Sequence, residues 1–210
     1  MLTSIRRGRG SVAELPAYES PVSTNFVSHG GAPMEPGGPG SPPTLHDLSS
    51  TTKIIVRAGS ETNTYRQLST PFATSRTEDG VLIVGQRPDE WFLMGRELAV
   101  QAIAGRLDRT GHVSVIDGTH SRAMFRLAGA GAASVLEKLC SLDWNDHMTP
   151  DGAAVSGSVA KVTCDIVRND LDGVPSYLIS CDRSFGQYLF DVILDAGQEF
   201  GISTNGGPVT

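Results

Sequence analysis

From about residue 53 onward the apolar positions come in short bursts, and the spacing inside each burst predicts an element. KIIVRA (53–58), GVLIVG (80–85) and EWFLMG (90–95) are compact apolar runs bounded by Gly or turn residues, which predicts buried strands. Gln86, Arg87 and Pro88 form the turn between the last two, with Pro88 and Asp89 closing a hairpin. Leu98, Val100, Ile103, Ala104 and Leu107 then fall at helical spacing, predicting a helix over roughly 96–108. HVSVID (112–117) alternates as a strand, DGTHS makes a tight turn with Gly118 as its positive-φ residue, and RAMFRLAG (122–129) is the next strand. A second amphipathic helix covers about 130–142, carried by Ala132, Val135, Leu136, Leu139 and Leu142. SVAKVTCDIVRND (158–170) is a long strand, Asn169 to Gly173 a turn, and PSYLISC (175–181) a returning strand. Ser184 and Gln187 have capping-box spacing ahead of a last helix. Its apolar face is Phe185, Tyr188, Leu189, Val192, Ile193 and Ala196.

From residue 90 the order is strand, helix, strand, strand, helix, strand. That is the split β-α-β arrangement of ferredoxin-like folds, with extra strands before it and a further strand and C-terminal helix after it. Helices packed on one face of a mostly antiparallel sheet give an α+β layered domain, assigned here to residues 53–200, with 201–210 as a C-terminal tail. The segment 59–79 reads as polar and irregular, anchored by Tyr65, Leu68 and Phe72.

Residues 1–52 break the pattern. GGAPMEPGGPGSPP (30–43) is mostly Gly and Pro, which disfavour helix and sheet alike. Around it stand single anchors, Ile5, Leu15, Tyr18, Phe26, Val27, Leu45 and Leu48, without helical or strand period. A free tail has no need of interspersed aromatics, so these residues read as an extended irregular arm that orders on a neighbouring subunit, with a disordered tail as the alternative.

Charge and cysteine content narrow the function classes. Across 210 residues the formal net charge is -6, which argues against nucleic acid and anionic lipid as partners. No apolar run approaches the roughly 18 residues a membrane span needs. Cys140, Cys164 and Cys181 are widely spaced and odd in number, which points away from a disulfide framework and towards a reducing compartment, the cytoplasm.

Candidate chemistry is sparse. Of the five histidines, His29 and His46 lie in the arm, His112 starts a strand, His120 sits in a turn beside Ser121, and His147 follows Asp146. None has nucleophile-elbow spacing. GAGA (129–132) stands between a strand and a helix but lacks the third glycine of a dinucleotide fingerprint, so it reads as a close strand-to-helix turn. Asp143 and Asp146 flank Trp144, and Asp170 and Asp172 occupy a turn. Asp165, inside a strand pattern, is the carboxylate expected to be buried, with Arg168 or Lys161 as its partner. No catalytic, cofactor-binding or metal residue is assigned. Trp91, which follows RPDE, reads as covering a sheet edge or a subunit contact, with Trp144, Tyr18 and Phe26 as the other interface candidates.

Three stretches in order, RPDEWFLMG, VSVIDGTHSRAMFRLAGAGAASVLEKLCSLDWND and CDIVRNDLDGVPSYLISCDRSFGQYLFDVILDA, resemble the gamma subunit of the heterotetrameric sarcosine oxidases. More distantly they are similar to the folate-binding fold of the aminomethyltransferases. The resemblance spans roughly residues 80–200. It implies a non-catalytic structural chain in a complex that demethylates sarcosine to glycine, yielding hydrogen peroxide and methylenetetrahydrofolate. The implied partners are alpha, beta and delta subunits, which carry FAD, FMN, NAD, tetrahydrofolate and zinc, with no cofactor on this chain. The folate enzymes have a Gly-Gly-hydrophobic-x-Asp-Asp strand whose acid serves the pterin. KVTCDIVRND keeps Asp165 but lacks the glycine pair and the acid pair. The resemblance leaves two alternatives, a folate-dependent one-carbon transfer protein and the gamma chain of an N-methylglutamate dehydrogenase.

Overall fold

The computed structural model describes residues 19–22, 40–204 and 207–208. The chain is α+β, and its strands form two sheets rather than one. The five-stranded sheet holds β2 (Thr52–Ala58), β3 (Ser75–Glu78), β4 (Val81–Arg87), β5 (Glu90–Gly95) and β6 (Val113–Asp117), in the order β3-β4-β5-β2-β6. The seven-stranded sheet holds β1 (Thr44–Asp47), β7 (Arg122–Ala128), β8 (Ala154–Val159), β9 (Val162–Arg168), β10 (Ser176–Asp182), β11 (Ser203–Thr204) and β12 (Gly207–Pro208). Its order is β12-β11-β1-β7-β10-β9-β8.

Each sheet is covered on its outer face by two helices. α1 (Asn63–Leu68) and α2 (Glu97–Arg106) bring Leu68, Val100 and Ile103 onto Ile54, Val56, Ile83, Trp91 and Leu93. α3 (Ala132–Leu139) and α4 (Gly186–Gly197) bring Val135, Leu136, Leu189, Phe190 and Ile193 onto Phe125, Leu127, Ile166 and Tyr177. The two inner faces meet through Val84, Phe92, Met94, Met124, Val167 and Leu178. Burial on both faces explains the unbroken apolar runs. In β5, Trp91 and Leu93 point to the helices while Phe92 and Met94 point to the other sheet.

The split β-α-β pattern occurs in each sheet. β5 and β6 are both antiparallel to the intervening β2, hence parallel to each other, with α2 as the crossover. β7 and β9 likewise flank β10. The strands expected to follow one another in one sheet, β6 and β7, lie in different sheets, and the DGTHS turn carries the chain across. Gly118 is not in the left-handed region; the turn is set by Asp117, whose Oδ1 accepts the Thr119 amide at 2.8 Å.

Other expectations shift for local reasons. The sheet begins well inside the expected arm: β1 pairs with β7 and β11, Leu45 is fully buried, and Val22 packs into the helix-covered core. Tyr18 and Phe26 lie outside the described residues. The segment 59–79 contains α1, capped by Thr62, and the edge strand β3. The strand predicted over 158–170 is a hairpin turning at Ala160 and Lys161, with φ of 47° and 70°. That is the pair of positive values a tight right-twisted hairpin requires, supplied without the usual Asn or Gly. The 201–210 tail contributes β11 and β12 to the sheet edge. The Ser184–Gln187 capping box does not form: Asp182 accepts the Ser184 amide, and Gln187 bonds Asp191. The buried face of α4 is Leu189, Phe190, Ile193 and Leu194, rotated so that Phe185 and Tyr188 are about half exposed.

Gly129 is required by its neighbours. It has φ +121° and an added Cβ would lie 3.0 Å from the Pro42 carbonyl oxygen, so the GAGA stretch lets residues 42–43 pass closely as they enter β1.

Candidate functional site: the polar seam between the sheets

The inner faces of the sheets are not wholly apolar. Alternation along β7 places Arg122, Met124 and Arg126 on the face turned towards the five-stranded sheet, and β9 places Asp165 there. Arg122 Nη2 bonds Asp165 Oδ2 at 2.5 Å and the Ser180 carbonyl at 3.1 Å, while Nε bonds Ser180 Oγ at 3.1 Å. Its guanidinium lies 5.6 Å from the Phe92 ring centroid. Asp165 Oδ1 accepts from Gln86 Nε2 and from Ser156 Oγ. Asp165 thus faces a cation and two neutral donors from three other strands, β7, β4 and β8, and its partner is Arg122 rather than Arg168 or Lys161. The reason is the pleat: Arg168 is three residues on and projects from the opposite face, where it bonds Asp146, Asp170 and the Thr149 carbonyl. Lys161 stands in the hairpin turn.

A second polar group in the seam is Lys53, fully buried, whose Nζ donates to the Ser49 and Thr51 carbonyls at 2.8 and 2.7 Å. Burial pulls its pKa down to about 8, against opposing attraction from Asp47 and Asp117. His46, opposite Arg126 on β1, has a buried Nε2 with no partner among the described residues; burial first and Arg126 second push its pKa down to about 4, so the imidazole is neutral.

Beside these groups the sheets part into a cleft of about 570 Å³. Met94, Met124 and Leu178 line it together with Arg126, Arg96 and Glu97.

The interface candidates within the described residues are core residues. Trp91 is 2 % exposed, meets Tyr65 edge-on and donates its Nε1–H to the Thr70 carbonyl at 2.9 Å. Trp144 is 2 % exposed against Tyr177, its Nε1 without an acceptor among the described residues. An indole flanked by acids reads as surface in one dimension. Here Glu90 pairs with Arg57 and Arg87 and Asp146 with Arg168, while the rings pack inward on Tyr65 and Tyr177. His112 is exposed beside Glu61 at 3.3 Å. The three cysteines are buried thiols, and burial pushes Cys164 up to about 12 and Cys181 up to about 11. Among the described residues no group of three or more His, Cys, Asp or Glu could hold a metal, and no helix is long and apolar enough to cross a membrane.

The residues that sequence reasoning passed over are Arg122, Arg126 and Lys53. For the two arginines the signal was present: cations four apart inside an apolar strand, on the alternate positions that carry Met124.

The family model of the GCVT N-terminal domain matches residues 44–208. The fold is similar to a chain of the heterotetrameric sarcosine oxidase from Corynebacterium sp. U-96 in complex with pyrrole 2-carboxylate, with TM-score 0.63 and 23% identity, over 75% of this chain and 85% of that one. It is also similar to the glycine cleavage system aminomethyltransferase T from Bartonella henselae, with TM-score 0.60 and 16% identity, over 79% of this chain and 48% of that one. At these identities the likeness is one of fold. No curated protein matches the chain.

Proposed function

Since the chain belongs to the GCVT N-terminal domain family, we propose that it works as a structural, non-catalytic subunit of a heterotetrameric sarcosine-oxidase-like complex, the gamma position. In this reading the complex demethylates sarcosine to glycine and forms hydrogen peroxide and methylenetetrahydrofolate. The flavins, NAD, folate and zinc reside on alpha, beta and delta partners. The observation that carries the reading is the state of Asp165. The acid that a folate-binding relative would turn towards a pterin is here closed off by Arg122, Gln86 and Ser156 of the same chain. A carboxylate already neutralised by a guanidinium gains little by meeting a ligand's N–H groups. The likeness to 85% of a chain of a heterotetrameric oxidase supports an assembled role. With both tryptophans buried, the docking surface falls to exposed apolar residues such as Phe185 and Tyr188 at the start of α4, and to the arm that includes Tyr18 and Phe26.

Omission reconstitution tests the reading. The complex assembled without this chain is expected to lose a defined subunit contact and to dissociate or inactivate on dilution. Full assembly and turnover without the chain would sink it. The retention of Asp165 favours a second reading, a folate-dependent one-carbon transfer protein. The two readings part on whether this chain alone binds tetrahydrofolate.

A further inference from the structure

Arg126 is a partly buried cation, and among the described residues no anion pairs with it. It lines the cleft between the sheets, and its guanidinium is held by neutral acceptors alone: Asn169 O at 3.2 Å, Ser176 Oγ at 2.8 Å and Asn169 Oδ1 at 3.1 Å. Guanidinium has five N–H donors. These three bonds run from Nη1 and Nη2, which leaves the Nε–H and a second Nη2–H without an acceptor among the described residues. Desolvation pulls its pKa down to about 10 with no carboxylate opposing the shift, in contrast to Arg168, which two aspartates push up. The other arginine of the same strand face, Arg122, has its acid in Asp165. Of the two arginines on this strand face, Arg126 is therefore the one without an ion-pair partner among the described residues.

The cleft in front of it has the make-up of a small-molecule site. Its volume, about 570 Å³, lies within the range of ligand pockets. Met94, Met124 and Leu178 give an apolar floor, and the mobile thioethers adapt to ligand shape. At the mouth Arg96 and Glu97 are both exposed and offset each other, so the net charge of the three ionic groups is one positive, from Arg126.

We infer that this cleft binds a small organic carboxylate, its carboxylate on the free N–H groups of Arg126 and its apolar body on Met94, Met124 and Leu178. This site is separate from Asp165 and does not depend on the chain's place in a complex.

The test is calorimetric titration of the purified full chain with hexanoate and its neutral isostere hexanamide. Hexanoate is expected to bind roughly tenfold or more tightly than the amide, the share of a charge-assisted pair. Arg126→Met is expected to remove that preference, leaving acid and amide equally weak. Because Arg126 also holds Asn169, a second variant covers the case of misfolding. Glu97→Gln removes a negative charge that lines the same cleft and is expected to tighten hexanoate by roughly two- to fivefold without touching hexanamide. Equal affinity for acid and amide, failure of both to bind, or indifference of hexanoate to Glu97→Gln would each overturn the assignment.

Discussion

Replacing Arg122 by Met asks how much of the intersheet packing rests on one ion pair. Met keeps the apolar stem against Phe92 and removes the guanidinium, so Asp165 loses its 2.5 Å partner and Ser180 loses two bonds. Breaking a buried pair from one side costs about 3–5 kcal/mol, since the remaining charge stays behind in the interior. The side chains here are 22% and 15% exposed, and Gln86 and Ser156 still bond Asp165, so screening lowers the expected loss to about 2–4 kcal/mol. For a chain of this size that is a fall in Tm of about 4–16 °C. The double variant Arg122→Met with Asp165→Leu removes both charges and is expected to recover most of the loss. Urea unfolding of the wild type, both singles and the double supplies the cycle. A loss below about 0.5 kcal/mol in Arg122→Met, or a double variant worse than either single, would refute the claim that this pair holds Asp165 in place.

Three further outcomes follow from particular residues. Lys53 has its folded pKa drawn down to about 8, against roughly 10.4 in an unfolded chain. Below pH 8 both states hold the proton and the folded state bears the full burial cost; between those values only the unfolded state keeps it. Stability therefore rises with pH through that window by up to about 1.4 kcal/mol per pH unit, and Lys53→Met flattens the rise in pH-dependent denaturation curves. Lys161→Gly relieves a left-handed residue in the β8–β9 turn and is expected to raise stability by about 0.5–1 kcal/mol in chemical denaturation, whereas a neutral or negative change would mean the turn is unstrained. Gly129→Ala forces a Cβ against the Pro42 carbonyl and is expected to cost about 1–3 kcal/mol and to speed proteolysis near residues 40–43, read by limited digestion.

The elements with strong period were legible from sequence, and so was the fold class. Strands β4, β5, β7 and β10 and helices α2 and α3 stand where periodicity puts them, because their apolar positions are set by burial against the helices, against the other sheet, or both. The hairpin at Ala160–Lys161 was hidden because its residue types carry no turn signal; the pairing of β8 with β9 enforces the positive φ. Strand β1 was hidden because four residues of TLHD gain their order from β7 and β11, both far along the chain. The partner of Asp165 was missed for a similar reason. Arg122 is 43 residues away, and only the side-by-side alignment of β7, β10 and β9 brings them together. The indoles were misread as surface because the partners that take them inward, Tyr65 and Thr70 for Trp91 and Tyr177 for Trp144, are distant in sequence.

In the proposed role Asp165 is held within the chain by Arg122, Gln86 and Ser156, and the chain acts through its surfaces. Titrating the isolated full chain with tetrahydrofolate by calorimetry tests it most directly. No saturable heat is expected at millimolar ligand, and none in Asp165→Asn either. Saturable binding in the micromolar range that Asp165→Asn abolishes, in a variant that remains folded by circular dichroism, would contradict it.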